Sequence, residues 1–270
     1  MKCFEIYTLL LFVVLTACKT TKQVTEENEN IVPRKEQVKT IFRYDTVVKT
    51  NEFYTKITKN YNYRKPNLVI IHHTAQDSCE QTYNTFALER TQVSSHYVIC
   101  KDGTITQLVD DMLRAWHAGN SRWGNSTDIN SCSIGIELDN NGFTVFAKPQ
   151  LDSLEVLLAR LKKAYNIPAQ NFIGHGDIAP GRKNDPNVNF PWEQFAAKGF
   201  GIWYSSGNLE TAPDNFDEVL ALRIIGYDIK KPDDAKAAFN RHFLKLNNDK
   251  VISENGKKVL YNLMKKFMQY

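Results

Sequence analysis

Short apolar runs separated by amphipathic and polar segments occupy the middle of the chain. Residues 68–71 (LVII) are continuously apolar, which is typical of a strand that is buried on both faces of a sheet. Alternating patterns and a hairpin signal at Asp102-Gly103 predict four more strands, at residues 95–101, 104–109, 133–138 and 171–173. The chain therefore contains a sheet of at least five short strands.

Helical periodicity appears between these strands and again after them. Residues 149–165 give the clearest pattern, because Leu151, Leu154, Leu158 and Leu161 recur at helical spacing. Further helices are predicted at residues 77–90, near Pro191, and at 215–225, 232–246 and 254–269. Strands that alternate with helices predict an α/β fold with a mixed central sheet flanked by helices, followed by a small C-terminal three-helix domain.

The first residues are typical of an export signal. Lys2 precedes a short apolar stretch, and the segment ends in Leu15-Thr16-Ala17-Cys18, which resembles the lipobox of bacterial lipoproteins. The resemblance implies acylation of Cys18 and anchoring to a membrane. A buried N-terminal strand, or an ordinary signal with a chance cysteine, is the alternative.

These patterns divide the chain into five parts. They are a lipoprotein signal peptide at 1–17, a polar tether at 18–65, an α/β domain at 66–199, a linker at 200–214 and a helical domain at 215–270.

Composition narrows the function. The 34 basic and 30 acidic residues are spread along the chain, so the net charge of +4 gives no indication of nucleic-acid binding. The five cysteines include no C-x-x-C pair, which argues against a thiolate zinc knuckle. After export, Cys79, Cys100 and Cys132 could form one disulfide, and the sequence leaves the pair undecided.

Three side chains suggest a metal site. His72 and His175 each follow a predicted strand, and Asp185 lies ten residues after His175. Strand ends converge on a crevice in open α/β sheets, and two imidazoles with one carboxylate form a typical catalytic zinc site. His73 points to the opposite face from His72, so only one of the two can be a ligand. From spacing alone, structural histidines remain the alternative.

Six segments strengthen this hypothesis because they occur together and in order. They are VIIHHTA (69–75), SSHYVI (94–99), DGTITQLV (102–109), AWHAG (115–119), SIGIEL (133–138) and IGHGDIAPGRKNDP (173–186). Over about residues 66–197 the chain resembles the zinc-dependent N-acetylmuramoyl-L-alanine amidases of the type-2 amidase family, which includes peptidoglycan recognition proteins. The resemblance implies zinc bound by His72, His175 and Asp185, and hydrolysis of the bond between muramic acid and L-alanine.

The resemblance also implies roles for residues around the metal. Glu137 matches the catalytic glutamate, and Lys183 matches a lysine proposed to stabilise the oxyanion. Some relatives have a tyrosine where this chain has Ser95, which favours Glu137 as the proton-transfer group. The expected substrate-binding residues are Trp116, His117 and His96, with His96 buried in or behind the pocket; packing in the core is the alternative for Trp116.

The remaining expectations concern binding partners, cellular location and alternative functions. Residues 216–243 resemble a three-helix peptidoglycan-binding module, with a helical cap that binds nothing as the alternative. The expected protein is a monomeric enzyme of the cell envelope, lipid-anchored at the outer membrane and facing the periplasm. A peptidoglycan-binding protein without activity is the alternative function, and a zinc amidase for another amide is a second.

Overall fold

The structure is a computed structural model, and it describes residues 65–270. The predicted signal peptide, Cys18 and the tether up to residue 64 lie outside the described residues. Within residues 65–270, no helix has the length and apolar character needed to cross a membrane.

Five strands form one mixed sheet, as the sequence predicts. They are β1 (Leu68–His73), β2 (Tyr97–Ile99), β3 (Ile105–Gln107), β4 (Ser133–Leu138) and β5 (Phe172–Gly174). The order across the sheet is β3-β2-β4-β1-β5, with β1 parallel to both of its neighbours and only β3 antiparallel to its partner. The carboxyl ends of the four parallel strands therefore lie along one edge.

Seven helices accompany the sheet in the described residues. They are α1 (Cys79–Ala87), α2 (Lys148–Tyr165), α3 (His175–Ile178), α4 (Trp192–Ala197), α5 (Glu218–Ile225), α6 (Pro232–Leu244) and α7 (Glu254–Phe267). Ser78 caps α1 by accepting a hydrogen bond from the N–H of Gln81. His175 follows β5 and begins α3, because the side chain of Asp177 accepts from the Gly174 N–H and starts a helical turn.

The two faces of the sheet have different roles. Val69 and Ile71 of β1 pack in the core that includes the apolar side of α2. Leu68 and Ile70 point to the other face, where they pack with Ala118 and neighbouring side chains. Because side chains alternate along a strand, His72 extends the second face and His73 the first.

The disulfide that the sequence left undecided joins Cys79 at the start of α1 to Cys100 after β2, and Cys132 is unpaired. It connects the segment that follows β1 to the hairpin of β2 and β3.

The C-terminal helices have a hydrophobic core of their own. Ile202, Trp203, Tyr204 and Leu209, from the predicted linker, pack against this core. Helix α6 also contacts α3 directly. The domain boundaries and peptidoglycan binding by these helices stay predictions.

Candidate metal centre

The candidate metal centre lies at the sheet edge formed by the carboxyl ends of β1, β4 and β5. His72 is the fifth residue of β1, and His175 follows β5 directly. In the register of β1 and β4, His72 lies opposite Glu137. Neighbouring residues in register share a face, so the sheet brings these two side chains together.

Three side-chain atoms meet at the centre of this site. Nδ1 of His72 lies 2.9 Å from Nδ1 of His175 and 2.9 Å from Oδ2 of Asp185. Nδ1 of His175 lies 3.0 Å from the same carboxylate oxygen. The group is buried and could hold a metal ion, as its spacing along the sequence predicts.

The contacts on the far side of His175 fit a metal ligand. Its Nε2 is 3.1 Å from the carbonyl oxygen of Ala118, which only accepts hydrogen bonds. A hydrogen on Nε2 that is donated to this carbonyl leaves a lone pair on Nδ1. Nη2 of Arg182, which donates to the same carbonyl at 2.6 Å, also lies 3.3 Å from Nε2. Two imidazole nitrogens and a carboxylate oxygen that converge in this way suit a divalent cation of the zinc type.

The electrostatics favour the ligating protonation states. Burial, followed by the neighbouring His175, lowers the pKa of His72 to about 4, so this ring is neutral at pH 7. Burial by itself raises the pKa of Asp185. The favourable interaction of the carboxylate with the imidazoles of His175 and His72 outweighs that effect and holds the pKa of Asp185 well below its usual value. A neutral imidazole and an ionised carboxylate are the forms that bind metals.

Glu137 lies beside the three atoms and is the least satisfied carboxylate of the site. Its Oε1 is 4.0 Å from Nδ1 of His72, and its buried Oε2 has no hydrogen-bond partner in the structure. Burial, and then the nearby charge of Asp185, raises the pKa of Glu137 to about 8, with Lys183 opposing the rise. A carboxylate with a pKa close to neutrality can both accept and return a proton.

Lys183 and Trp116 are the exposed members of the predicted set. Lys183 lies on the loop between α3 and Asp185, with its side chain in solvent. Its positive charge reaches the site, since it lowers the pKa of both His72 and Glu137. Trp116 is 47% exposed, which leaves its ring free to contact a ligand.

His96 and His117 lie inside the protein with both ring nitrogens occupied. Nδ1 of His96 accepts from the Gly135 N–H, and its Nε2 donates to the carbonyl of Leu113. His117 contacts His72 through Nδ1 and Ser133 through Nε2. Substrate binding by Trp116, His117 and His96 stays a prediction, and for the two histidines these contacts indicate a supporting position beneath the metal site.

Three supporting residues were missed in the sequence. Oδ1 of Asn130 accepts from the backbone N–H groups of His117 and Ala118, and Arg182 donates to the carbonyl of Ala118. Ser133 shares a face of β4 with Glu137, so the alternation of SIGIEL could have identified it. No sequence pattern marks Asn130 or Arg182, because their contacts depend on loop conformation.

The site combines two histidines and one carboxylate with a neighbouring glutamate, and it lies at the open edge of a mixed α/β sheet. These features are typical of metal-dependent hydrolases, which is the class of protein that they indicate. Comparison with known proteins narrows that class. Residues 62–188 match the Amidase_2 family, described as N-acetylmuramoyl-L-alanine amidase. The chain belongs to this family.

Two curated relatives come from Escherichia coli K12. The chain is 36% identical to N-acetylmuramoyl-L-alanine amidase AmiD over 193 residues, which are 62% of this chain and 69% of AmiD. It is 39% identical to 1,6-anhydro-N-acetylmuramyl-L-alanine amidase AmpD over 116 residues, which are 43% of this chain and 63% of AmpD.

Two solved structures share the fold. One is E. coli AmiD in complex with the substrate anhydro-N-acetylmuramic acid-L-Ala-D-gamma-Glu-L-Lys, with a TM-score of 0.69 and 30% identity over 80% of this chain and 95% of that chain. The other is AmpDh3 from Pseudomonas aeruginosa, with a TM-score of 0.69 and 27% identity over 83% of this chain and 99% of that chain. Both likenesses cover a larger share of the chain than the family match at residues 62–188 does.

Proposed function

We propose that this protein is a zinc-dependent N-acetylmuramoyl-L-alanine amidase that cleaves the amide between the lactyl group of muramic acid and L-alanine, in peptidoglycan or in muropeptides released from it. The observation that carries the proposal is the convergence of His72, His175 and Asp185 beside Glu137, whose buried Oε2 has no hydrogen-bond partner. The names of the relatives, and the muropeptide bound to one of them, support this substrate class.

The residues of the chain supply most of the chemistry. His72, His175 and Asp185 would hold the zinc, which when bound supplies Lewis acidity and lowers the pKa of water to about 7. Glu137 accepts the proton of the attacking water at its carboxylate and returns it to the leaving nitrogen of L-alanine. The charge of Lys183 stabilises the oxyanion that develops on the lactyl carbonyl oxygen.

The alternative function is a protein that binds peptidoglycan without cutting it. Such a protein needs neither a complete ligand set nor a proton-transfer group, and this chain has both. Glu137 is the more telling of the two features. A buried carboxylate without a hydrogen bond costs stability, and catalysis gives a reason to keep it.

Substitution of Glu137 by glutamine tests the assignment. The amide keeps the size of the side chain and removes its proton-accepting carboxylate, so the zinc content should stay at the native level while the rate falls about 10²–10⁴-fold. The rate is read by mass spectrometry of muropeptides, as free stem peptides that begin with L-alanine, and zinc by elemental analysis. Glu80→Gln, at an exposed glutamate of α1, is the matched control and should keep the native rate.

Two outcomes would contradict the proposal. A Glu137→Gln variant with the native rate would remove Glu137 from the mechanism. Intact muropeptides after incubation with the zinc-loaded native protein would favour the binding protein, and cleavage at another bond would favour a different amidase.

We further propose that Cys18 is lipidated and holds the enzyme at the outer membrane of the cell envelope, facing the periplasm. The support is the Leu-Thr-Ala-Cys sequence at residues 15–18 and the location of peptidoglycan substrates. Metabolic labelling with a fatty-acid analogue should label the native chain and leave Cys18→Ser unlabelled. Equal labelling of both would exclude this anchor.

A further inference from the structure

His72 and His175 differ in what faces their second ring nitrogen. Nε2 of His175 lies 3.1 Å from the carbonyl oxygen of Ala118, which can only accept, and 3.3 Å from Nη2 of Arg182. Nε2 of His72 lies 3.1 Å from Nδ1 of another imidazole, that of His117. A neutral imidazole nitrogen can donate or accept, so this contact holds His72 in the ligating tautomer only if the proton on His117 is also fixed.

The contacts beyond His117 fix that proton. Oγ of Ser133 lies 2.6 Å from the carbonyl oxygen of Ile129, and because a carbonyl only accepts, the hydroxyl of Ser133 must donate to it. The remaining contact of this hydroxyl, 3.2 Å to Nε2 of His117, is then one in which Ser133 accepts. Nε2 of His117 therefore carries the hydrogen.

The donor and acceptor of each hydrogen bond from Ile129 to His72 follow from this. His117 is 8% exposed and hydrogen-bonds to no carboxylate within the described residues, so its ring is neutral and its Nδ1 carries no hydrogen. That nitrogen accepts from Nε2–H of His72. The lone pair of His72 is left on Nδ1, the atom that lies 2.9 Å from both His175 and Asp185.

We propose that His117 is a positioning residue of the metal centre: with Ser133 and the carbonyl of Ile129, it holds His72 in the tautomer whose Nδ1 binds the metal. Metal-bound histidines usually donate to a carboxylate, a carbonyl or water. Here a second imidazole, that of His117, takes that place. An imidazole nitrogen can either donate or accept, and the contact with Ser133 decides that Nδ1 of His117 accepts.

The surroundings of His117 hold its ring in place. A side chain at Gly135 would have its Cβ 2.4 Å from Cγ of His117, so the imidazole occupies space that only glycine leaves on β4. Oδ1 of Asn130 accepts from the backbone N–H of His117 at 3.1 Å. The series of hydrogen bonds from Ile129 through Ser133 and His117 to His72 is called the relay below. One face of β4 thus supplies Ser133 to direct the relay, Gly135 to make room for the His117 ring and Glu137 for proton transfer.

The test measures zinc affinity and tautomers on the purified full chain, without substrate. His117→Phe keeps a flat ring and removes the acceptor, so the zinc dissociation constant should rise about 10–100-fold, the usual effect of losing the outer partner of a ligand. Ser133→Ala removes only the directing group and should raise it by less than His117→Phe. Ser95→Ala, at a buried serine that donates to the carbonyl of Tyr97, is the matched control and should bind zinc as the native protein does.

Nitrogen-15 NMR of the histidine rings supplies a readout that a purely structural role would not move. The zinc-loaded native protein should show hydrogens on Nε2 of both His72 and His117. In Ser133→Ala, part of the His117 signal should shift to the Nδ1–H tautomer. A hydrogen on Nδ1 of His117 in the native protein, or native zinc affinity in both His117→Phe and Ser133→Ala, would overturn the proposal.

The inference rests on zinc binding as proposed above, and the two can fail separately. A native protein that binds zinc but leaves muropeptides intact would contradict the proposed activity and leave the relay standing. If the native protein hydrolyses muropeptides while His117→Phe and Ser133→Ala keep the native zinc affinity, the proposed activity stands and the role of His117 is contradicted.

Discussion

Two buried clusters of histidine and aspartate lie on either side of the one-turn helix α3, and they differ in how their hydrogen bonds are satisfied. In the candidate metal centre, Nδ1 of His72, Nδ1 of His175 and Oδ2 of Asp185 lie 2.9 to 3.0 Å from one another. In the second cluster, Asp177 accepts from the hydroxyl of Tyr227 at 2.8 Å and contacts Nδ1 of His242 at 2.7 Å.

The carboxylate of Asp177 in the second cluster is hydrogen-bonded within the protein. Besides those two partners, Asp177 accepts from the backbone N–H of Gly174 at 2.9 Å. The ring of His242 stacks on that of Trp192, with centroids 4.1 Å apart and planes 14° from parallel. This cluster holds α6 of the C-terminal helices against α3, whereas the candidate metal centre brings three potential ligand atoms together.

Residue type and burial therefore do not distinguish a candidate metal site from a structural cluster of hydrogen bonds. His175 is 2% exposed and Asp177 is 4% exposed, and only two positions separate them in the chain. What separates the clusters is the balance of donors and acceptors. A cluster with more acceptors than donors is a candidate for a metal, and a balanced one is a candidate for stability.

Replacing the aspartate of each cluster by asparagine gives the strongest test of this comparison. Asp185→Asn should weaken zinc binding more than the about 100-fold that marks the loss of an outer partner, because it removes a ligand charge. Asp177→Asn should still bind one zinc per chain at saturation. It should lower the free energy of unfolding by about 3 kcal/mol, the upper end for a buried polar group that loses its hydrogen bond, because the amide replaces an oxygen that accepts buried hydrogen bonds.

Chemical denaturation in the presence of a chelator, together with zinc titration, separates the two effects. The chelator keeps zinc from contributing to the stability of either variant. Loss of zinc binding in Asp177→Asn without a loss of stability would show that the second cluster belongs to the metal site, and unchanged zinc affinity in Asp185→Asn would remove Asp185 from it.

The sequence predicts the metal centre better than the second cluster for a physical reason. His72 follows an apolar strand, and the carboxyl ends of parallel strands meet at one edge, so a local pattern and a general rule of topology locate the site. The resemblance adds Glu137 and Lys183. The pairing of Cys79 with Cys100 and the start of α3 at His175 depend on the paths of individual loops, which no periodicity encodes.

The second cluster depends on how two distant parts of the chain pack. His242 lies on the helix predicted at residues 232–246, and its ring stacks on that of Trp192. Its bond to Asp177 joins residues 65 positions apart, and it exists only because α6 lies against α3. Amphipathic patterns predict that α6 buries one side, but they do not say which element it contacts.

The smallest expected effect comes from Tyr227→Phe, which removes one donor from the second cluster. Burial, and then the nearby Asp177, raises the pKa of Tyr227 well above its usual value, so the hydroxyl stays a neutral donor throughout the ordinary pH range. Its loss leaves Oδ1 of Asp177 buried and without this partner. The free energy of unfolding should fall by about 1.5 kcal/mol, the lower end for a hydrogen bond to a charged group.

Tyr204→Phe is the matched control, because its hydroxyl makes only a long 3.4 Å contact with the carbonyl of Phe243 in the same region. It should change stability by less than about 0.5 kcal/mol, and both variants should keep the native zinc dissociation constant. A weaker zinc affinity in Tyr227→Phe at unchanged stability would mean that Asp177 communicates with His175 through α3, and the two clusters would then have to be treated as one.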